Sequence, residues 1–210
     1  MKKSRYILMA DIINSRKSDQ KALMVSFERL VNDINSRHKR HLLSPLTITL
    51  GDEFQSVAKS LKSAIEIIFG IEERIIRDQY EFKLRYVLVE GEIDTPINPQ
   101  IAYGMLGEGL TNARKALIEA KGNKGRFFVE INDTNLGKAL NNSLAIYQSL
   151  TDNWKAGKDY PLIKDFLTFK DYKKVATETG KTRSQIWKRE KSLKINEYIA
   201  IKEVIHYLIL

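Results

Sequence analysis

The chain has 210 residues, 43% hydrophobic and 29% charged, with 11 Gly and 4 Pro. That composition is typical of a globular protein and excludes collagen-like, low-complexity and disordered chains. The sequence has no cysteine, which excludes disulfides, thiolate metal sites and a cysteine nucleophile. Its formal net charge is +9, so the position of the basic residues is informative about its partners.

The N-terminal segment and the histidines exclude further classes of protein. Only five uncharged residues separate Arg5 from Asp11, too few for the core of a signal peptide, and no stretch approaches the roughly 20 apolar residues of a membrane span. We therefore expect a cytoplasmic protein with no membrane partner. The three histidines lack metal-binding spacing, so a metal ion would be a hard cation on oxygen ligands.

The first half of the chain predicts alternating strands and helices. Residues 5–10 (RYILMA) are apolar after Arg5 and predict a buried strand that ends at Asp11. The other predicted elements are a helix over 19–38, a hairpin over 46–58, a helix over 60–78 and a strand over 82–91. This βαββαβ order is the ferredoxin-like, palm-like arrangement of the α+β class, in which an antiparallel sheet carries two helices on one face.

The second half predicts more helices and a small C-terminal domain. After a loop at 95–100, the expected elements are a helix over 108–121, a strand over 126–130 and a helix over 133–149. The polar segment 152–161 is the predicted linker. We therefore expect an α/β domain over residues 1–150 and a small all-α domain over residues 151–210.

The C-terminal segment carries a helix-turn-helix pattern. The pattern needs a small residue, a glycine four positions later and an apolar residue six positions after that, and these are Ala176, Gly180 and Ile186. Residues 181–194 contain six basic residues and one acidic residue, Glu190. This concentration of positive charge favours a nucleic-acid partner.

The residues predicted to contact DNA lie in the second helix of that motif: Arg183, Ser184, Gln185, Lys188 and Arg189. Arginine and glutamine can pair with base edges, whereas lysine more often meets phosphate. Trp187 is expected to pack into the helical core. A protein-interaction module and a purely structural unit are the alternatives to DNA binding.

Carboxylates lie at the ends of two strands that the βαββαβ order places side by side. Asp11 ends the first strand, and Asp52 and Glu53 lie at the hairpin tip, where Gly51 and Asp52 fit a two-residue turn. Close carboxylates repel one another unless a cation lies between them, and oxygen ligands suit Mg²⁺ or Mn²⁺ that holds a triphosphate. The alternative is structural, since Gly-Asp is a common turn and an aspartate after a strand can cap a helix.

The loop after Asp11 leads into the first helix, so its backbone N–H groups could bind phosphate. The residues proposed for this contact are Ile12, Asn14, Ser15 and Arg16. Loop and carboxylates together predict a site for a nucleoside triphosphate with a divalent cation.

Several segments resemble class III nucleotide cyclases and diguanylate cyclases. MADI at 9–12 is similar to the first-strand motif with its metal-binding aspartate, and TLGDEF at 49–54 is similar to the hairpin that supplies the second aspartate. LRYVLVEGEI at 84–93 and the segment 103–130 resemble the parts that follow in cyclases. The resemblance implies a nucleotide-cyclase-like palm in which Asp11 and Asp52 bind metal ions.

The same resemblance assigns positions outside the carboxylates. The ribose-binding asparagine of cyclases falls on Thr111, the phosphate-binding arginine on Lys115 and the base-selecting lysine on Ile48. These differences argue against cyclase activity, because a cation on the developing charge supplies the largest catalytic contribution. Class III cyclases build their sites between two palms, so the resemblance also implies a homodimer.

The whole chain is similar to the SatD family of bacterial proteins through ADIINSR at 10–16, SPLTITLGDEFQ at 44–55 and KDYKKVATETGKTRSQIWK at 170–188. That resemblance implies a palm-like domain followed by a helix-turn-helix similar to the fourth region of sigma factors. The leading hypothesis is a DNA-associated regulator whose palm binds a nucleotide and a divalent metal ion. The rival is an enzyme that transfers phosphoryl or nucleotidyl groups from nucleoside triphosphates, and the third is an interaction scaffold.

Overall fold

The computed structural model of the protein describes residues 4–17 and 19–210. Within those ranges the strands are β1 Ser4–Ile12, β2 Leu42–Ile48, β3 Glu53–Ala58, β4 Leu84–Glu92 and β5 Phe127–Glu130. The α-helices are α1 Gln20–Arg37, α2 Leu61–Arg77, α3 Glu108–Ala120, α4 Thr134–Thr151, α5 Ala156–Phe169, α6 Tyr172–Thr179, α7 Arg183–Ser192 and α8 Ile195–Leu208.

The five strands form one sheet in the order β2-β3-β1-β4-β5. β1 lies at its centre and pairs antiparallel with both β3 and β4, while β5 pairs parallel with β4. The predicted βαββαβ arrangement is therefore confirmed for the first four strands, and β5 extends the sheet beyond it.

Helices cover both faces of the sheet. Side chains of a strand alternate between faces, and along β1 Leu8 and Ala10 join the hydrophobic cluster that contains α1 and α2, whereas Ile7 and Met9 join the cluster that contains α3. The same alternation places Asp11 on the α3 face. The expectation of two helices on one face holds for α1 and α2, and α3 packs on the other face.

A contact between two glycines brings α3 close to the sheet. A Cβ atom on Gly109 of α3 would lie 2.7 Å from the carbonyl carbon of Gly91 in β4, and a Cβ atom on Gly91 would lie 2.5 Å from the Cα atom of Gly109. Carbon atoms prefer separations of about 3.5–4.0 Å, so neither position has room for a side chain. The contact fixes the distance between the sheet and the rest of α3.

The turn between β2 and β3 differs from the predicted two-residue turn. The Thr49 N–H donates to the Glu53 carbonyl at 2.9 Å, so the loop comprises Leu50, Gly51 and Asp52. Within it the Asp52 N–H donates to the Leu50 carbonyl at 2.9 Å, around Gly51 with φ +77°. This hydrogen bond closes a γ-turn of the form with positive φ at its central residue, a conformation that glycine adopts readily. Glu53 is the first residue of β3.

The C-terminal helices share a hydrophobic cluster with the α1 and α2 side of the sheet. α8 packs on α4, where the rings of Tyr147 and Tyr198 lie 5.5 Å apart, and the indole N–H of Trp154 donates to the Leu193 carbonyl at 3.0 Å. The division into domains at residues 150 and 151 stays a prediction.

The polar segment 152–161 is not wholly a linker, because α5 begins at Ala156. Asp159 is buried and accepts a hydrogen bond from the Lys155 N–H at 3.0 Å, which stabilises the first turn of that helix. Over the described ranges, no helix combines the length and the apolar character needed to cross a bilayer.

Candidate functional site

A pair of buried carboxylates lies on the α3 face, near the end of the central strand β1 and at the start of β3. Asp11 in β1 is directly opposite Glu53 in β3, and the two residues are only 4% and 3% exposed. Opposed residues of antiparallel strands place their side chains on the same face about 5 Å apart at Cβ. Two acidic groups this close and this buried require positive partners.

Asp11 obtains those partners from β4 and from the end of α3. Arg85 lies opposite Asp11 in β4, and its Nη1 donates to both carboxylate oxygens at 3.0 Å. Nζ of Lys121, directly after α3, lies 3.4 Å from Oδ2. Burial raises the pKa of Asp11, while Arg85 and Lys121 oppose that rise.

Glu53 is neutralised from the same helix. Its Oε1 accepts a hydrogen bond from Thr49 Oγ1 at 2.8 Å and forms an ion pair with Arg114 of α3. Arg114 and Lys121 are seven residues apart, a spacing that places both on the same side of a helix. Glu53, Asp11, Arg85, Arg114 and Lys121 form what we call the charge row.

Asp52 has a different environment from the other two predicted metal ligands. Its Oδ2 accepts a hydrogen bond from Ser15 Oγ at 2.6 Å, and its backbone carbonyl accepts the Ile12 N–H at 2.9 Å. Ile12 is therefore not available to bind phosphate through its N–H, which corrects that part of the prediction. Asn14, with φ +59°, and Arg16 are exposed in the loop that follows.

The donor chemistry of the charge row suits a divalent cation, but its carboxylates already have cationic partners. Mg²⁺ is commonly held by one or two carboxylates together with phosphate oxygens, and Asp11 and Glu53 supply that number. In the described part of the chain, no three acidic or histidine side chains cluster as a metal site. A bound cation would have to displace Arg85, Lys121 and Arg114 from the carboxylates.

The structure places the three positions that the cyclase resemblance assigns besides the carboxylates outside the charge row. Thr111 and Lys115 are exposed on α3, and Thr111 Oγ1 donates to the Gly107 carbonyl at 3.4 Å. Ile48 is half-buried opposite Phe54 in the hairpin. Arg114, which contacts Glu53, was missed by sequence reasoning. Its spacing from Lys121 is the signal that could have identified it.

Four of the five residues predicted to contact DNA are exposed on α7. These are Arg183, Ser184, Gln185 and Lys188. Gln185 also forms a capping box with Thr182, in which Gln185 N–H donates to Thr182 Oγ1 at 3.3 Å. This pairing stabilises the start of the helix.

Arg189 and Trp187 depart from the predictions. The Nη2 atom of Arg189 donates to Oδ1 of the buried Asp159 at 2.7 Å, so its guanidinium holds α7 against α5. Trp187 is 48% exposed, and the expectation that it packs into the core is wrong. Ile186 is the fully buried residue of α7, and the helix turns Trp187 about 100° away from it.

The fold and the charge row define an α/β protein with a split βαβ sheet and a buried carboxylate pair on its central strands. The model of the SatD family matches residues 6–209, and the chain belongs to the SatD family. Comparison with curated protein sequences gives no match.

Solved structures of nucleotide cyclases are similar in fold over part of the chain. A bacterial light-regulated adenylyl cyclase shares 14% identity, covering 61% of this chain and 76% of that chain, with a TM-score of 0.47. The guanylyl cyclase Cya2 shares 14% identity over 61% of this chain and 75% of that chain, with a TM-score of 0.42. For adenylate cyclases from Trypanosoma brucei the identity is 14%, the coverage 52% and 65%, and the TM-score 0.41.

Proposed function

We propose that the protein binds a nucleoside triphosphate together with Mg²⁺ or Mn²⁺ at the charge row. The observation that carries the proposal is the buried pair of Asp11 and Glu53, held directly opposite each other and within reach of cations from β4 and α3. Carboxylates of this kind bind a divalent cation, and arginine and lysine bind phosphate oxygens. The divalent cation would supply charge neutralisation at the phosphates.

Binding would change the partners of both carboxylates, Arg114 and Lys121 without leaving any of these groups unpaired. Asp11 and Glu53 would pass from the cationic side chains to the divalent cation, and Arg114 and Lys121 would pass from the carboxylates to the phosphates. A cavity of about 260 Å³ lies beside the hairpin, lined by Ser15, Arg16 and Asp52 among others. We propose that the loop binds phosphate here through Ser15 and Arg16, whereas Asn14, also predicted to bind phosphate, lines a separate cleft.

Thermal unfolding with each nucleoside triphosphate and Mg²⁺ or Mn²⁺ tests this proposal. A ligand at 100 times its dissociation constant stabilises the protein by about 2.7 kcal/mol. We expect that stabilisation in the wild type and its loss in Glu53→Gln and Asp52→Asn. Glu130→Gln, at an exposed position of β5, is the matched control. An equal shift in all four proteins would contradict the proposal.

An enzyme that transfers phosphoryl or nucleotidyl groups is the alternative for the same site. It is favoured by the carboxylate pair, because a metal held there could stabilise developing charge on a phosphate. Thr111 and Lys115 are exposed on α3, so we propose that they reach a nucleotide only in a homodimer. Product analysis of each nucleoside triphosphate after incubation with the protein separates the enzyme from a binding protein.

A second function, DNA binding, is favoured by the exposed surface of α7. Arg183, Ser184 and Lys188 are exposed beside the half-exposed Trp187, and α7 follows a turn in which Gly180 adopts φ +63°. A capped helix that presents basic residues after such a turn fits the major groove. The similarity to the fourth region of sigma factors and a cytoplasmic location remain part of this proposal.

DNA affinity measured over a range of salt concentrations tests the second function. The logarithm of the binding constant falls with the logarithm of salt by about 0.9 for each phosphate contact. We expect Lys188→Ala to lower that slope by about one unit, and Lys138→Ala on the exposed side of α4 to leave it unchanged. Affinity that does not respond to Lys188→Ala or Arg183→Ala would assign these residues another role.

A further inference from the structure

Arg85 belongs to the charge row and also lines a separate cleft of about 450 Å³. The cleft lies between the loop after β1, the segment that leads into β4, and the loop 121–126 that precedes β5. Asp11, Asp52 and Glu53 are not among its lining residues. Arg85 therefore contacts the carboxylate pair through Asp11 and also lines a second cavity that the carboxylates do not reach.

The cleft carries an excess of positive charge. Its lining includes Lys83, Arg85, Lys124 and Arg126 against the carboxylates of Glu81 and Asp152. Two of the cations are already engaged: Arg126 pairs with Glu72 and with Asp152, and Lys83 Nζ lies 3.1 Å from Asp152 Oδ1. Arg85 pairs with Asp11 through Nη1 alone, so its other nitrogen atoms and the ammonium of Lys124 are the cationic groups left for a ligand.

Arg85 has an unused buried donor. The residue is 8% exposed, and across the described ranges its only acceptor is Asp11, through Nη1. Its Nε is buried and has no hydrogen-bond partner among the described residues. A buried donor without an acceptor costs about 1–3 kcal/mol. Arg85 lines the cleft, so an anion there that reached this donor would remove that cost.

The loop 121–126 and the loop after β1 add polar groups to the cleft without filling it. Lys124 is exposed and forms no ion pair within the described part of the chain. Asn14 and Asn123 also line the cleft, and a Cβ atom on Gly125 would meet no atom within 4 Å. A glycine-containing loop with a lysine and amide donors suits the oxygens of a phosphoryl group.

We propose that this cleft binds the phosphoryl group of a phosphorylated small molecule, with Arg85 and Lys124 as its cationic contacts. Binding needs neither the carboxylate pair nor a divalent cation, so the site is additional to the nucleotide site of the charge row. Because Arg85 also holds Asp11, occupancy of the cleft alters the charge that faces the carboxylate pair.

Isothermal titration of the full chain with inorganic phosphate, and separately with ribose 5-phosphate, at constant ionic strength and without divalent cations tests the site. We expect Lys124→Gln to weaken binding about three- to tenfold. Arg85→Lys keeps a positive charge for Asp11 but removes Nε, and we expect a similar loss with little change in the thermal unfolding temperature. Lys138→Gln, on α4, is the matched control and should bind as the wild type does.

The outcomes separate this site from the nucleotide site. Loss of binding in Lys124→Gln but not in Glu53→Gln supports the cleft, whether or not the nucleotide proposal holds. Tighter binding of ribose 5-phosphate than of inorganic phosphate identifies a phosphate ester as the ligand, and the reverse order identifies free phosphate. Absence of binding of both probes at millimolar concentration, or equal affinity in the wild type, Lys124→Gln and Arg85→Lys, overturns the proposal.

Discussion

At the scale of single residues, His38 follows α1 with its ring against the backbone of α2. A Cβ atom on Gly70 would lie 2.4 Å from Nε2 of His38, so the glycine makes room for the ring. Among the described residues Nδ1 of His38 has no hydrogen-bond partner. Burial lowers the pKa of His38, and the neighbouring His41 lowers it further.

The stability of the protein should therefore depend on the protonation of His38. A histidine whose pKa is lower in the folded state contributes stability above its usual pKa of 6.5, and that contribution is lost as the pH falls through the folded value. We expect His38→Phe to reduce the slope of unfolding free energy against pH by up to about 1.4 kcal/mol per unit. Urea titrations between about pH 5 and 7.5 measure it, and parallel slopes for the two proteins would contradict it.

A second group of buried charges anchors the loop before β5. Arg126 pairs with both oxygens of Glu72 at 3.1 Å and donates to the Leu84 carbonyl at 2.8 Å. Tyr86 donates to the same Glu72 at 2.8 Å, and burial with that carboxylate raises the pKa of Tyr86 well above its usual value. These contacts fix the wall of the cleft from which Lys124 projects.

At the scale of elements, the position of α3 depends on the contact between Gly91 and Gly109. A Cβ atom on Gly109 would also lie 2.8 Å from Cδ1 of Ile7, so β1 and β4 both oppose it. The charge row depends on this packing because Arg114 and Lys121 both come from α3 or its end.

Gly109→Ala should consequently destabilise the protein, although alanine stabilises an exposed helix position by about 1 kcal/mol relative to glycine. Overpacking of a tight contact costs about 1–3 kcal/mol, and we expect a loss of that size in denaturant unfolding, together with weaker nucleotide binding. Gly122→Ala is the control, since its Cβ atom would lie 3.6 Å from the nearest atom. A more stable Gly109→Ala would show that α3 is not held by this contact.

At the scale of the whole molecule, α8 packs on α4, and α4 also contacts strand β5 through the ring of Tyr147. The ring of Tyr198 contacts the rings of Tyr147 and Trp154 in tilted arrangements. Lys202 of α8 forms an ion pair with Glu73 of α2. The C-terminal helices thus contact the α/β part through aromatic side chains and an ion pair rather than through a linker alone.

A fragment of residues 1–150 tests whether the two predicted domains are independent. Each large apolar side chain exposed by the truncation costs about 1.5–3 kcal/mol, and we expect the fragment to unfold about 10 °C or more below the full chain by circular dichroism. If the fragment unfolded cooperatively at the temperature of the full chain, the division at residues 150 and 151 would be supported instead.

The sequence by itself determined the elements of residues 1–150 and their order, because hydrophobic periodicity and turn residues are local signals. It did not predict α5 or α8. It predicted the first strand to within one residue of its end at Ile12, the hairpin with its carboxylates, and the helices on either side of Gly180. The family followed from short segments such as ADIINSR and TLGDEF. These features are read within a few neighbouring residues, so no tertiary information was needed.

Tertiary structure decided which charges meet. The register of β1 with β3 and β4 placed Asp11 between Glu53 and Arg85, and the packing of α3 brought Arg114 rather than Lys115 to the carboxylates. The pairing of Arg189 with Asp159 joins residues 30 positions apart. Such contacts depend on the alignment of distant segments. Burial then sets how strongly the charged groups interact. Local sequence patterns encode neither alignment nor burial, so only the folded chain defined the charge row and the cleft beside it.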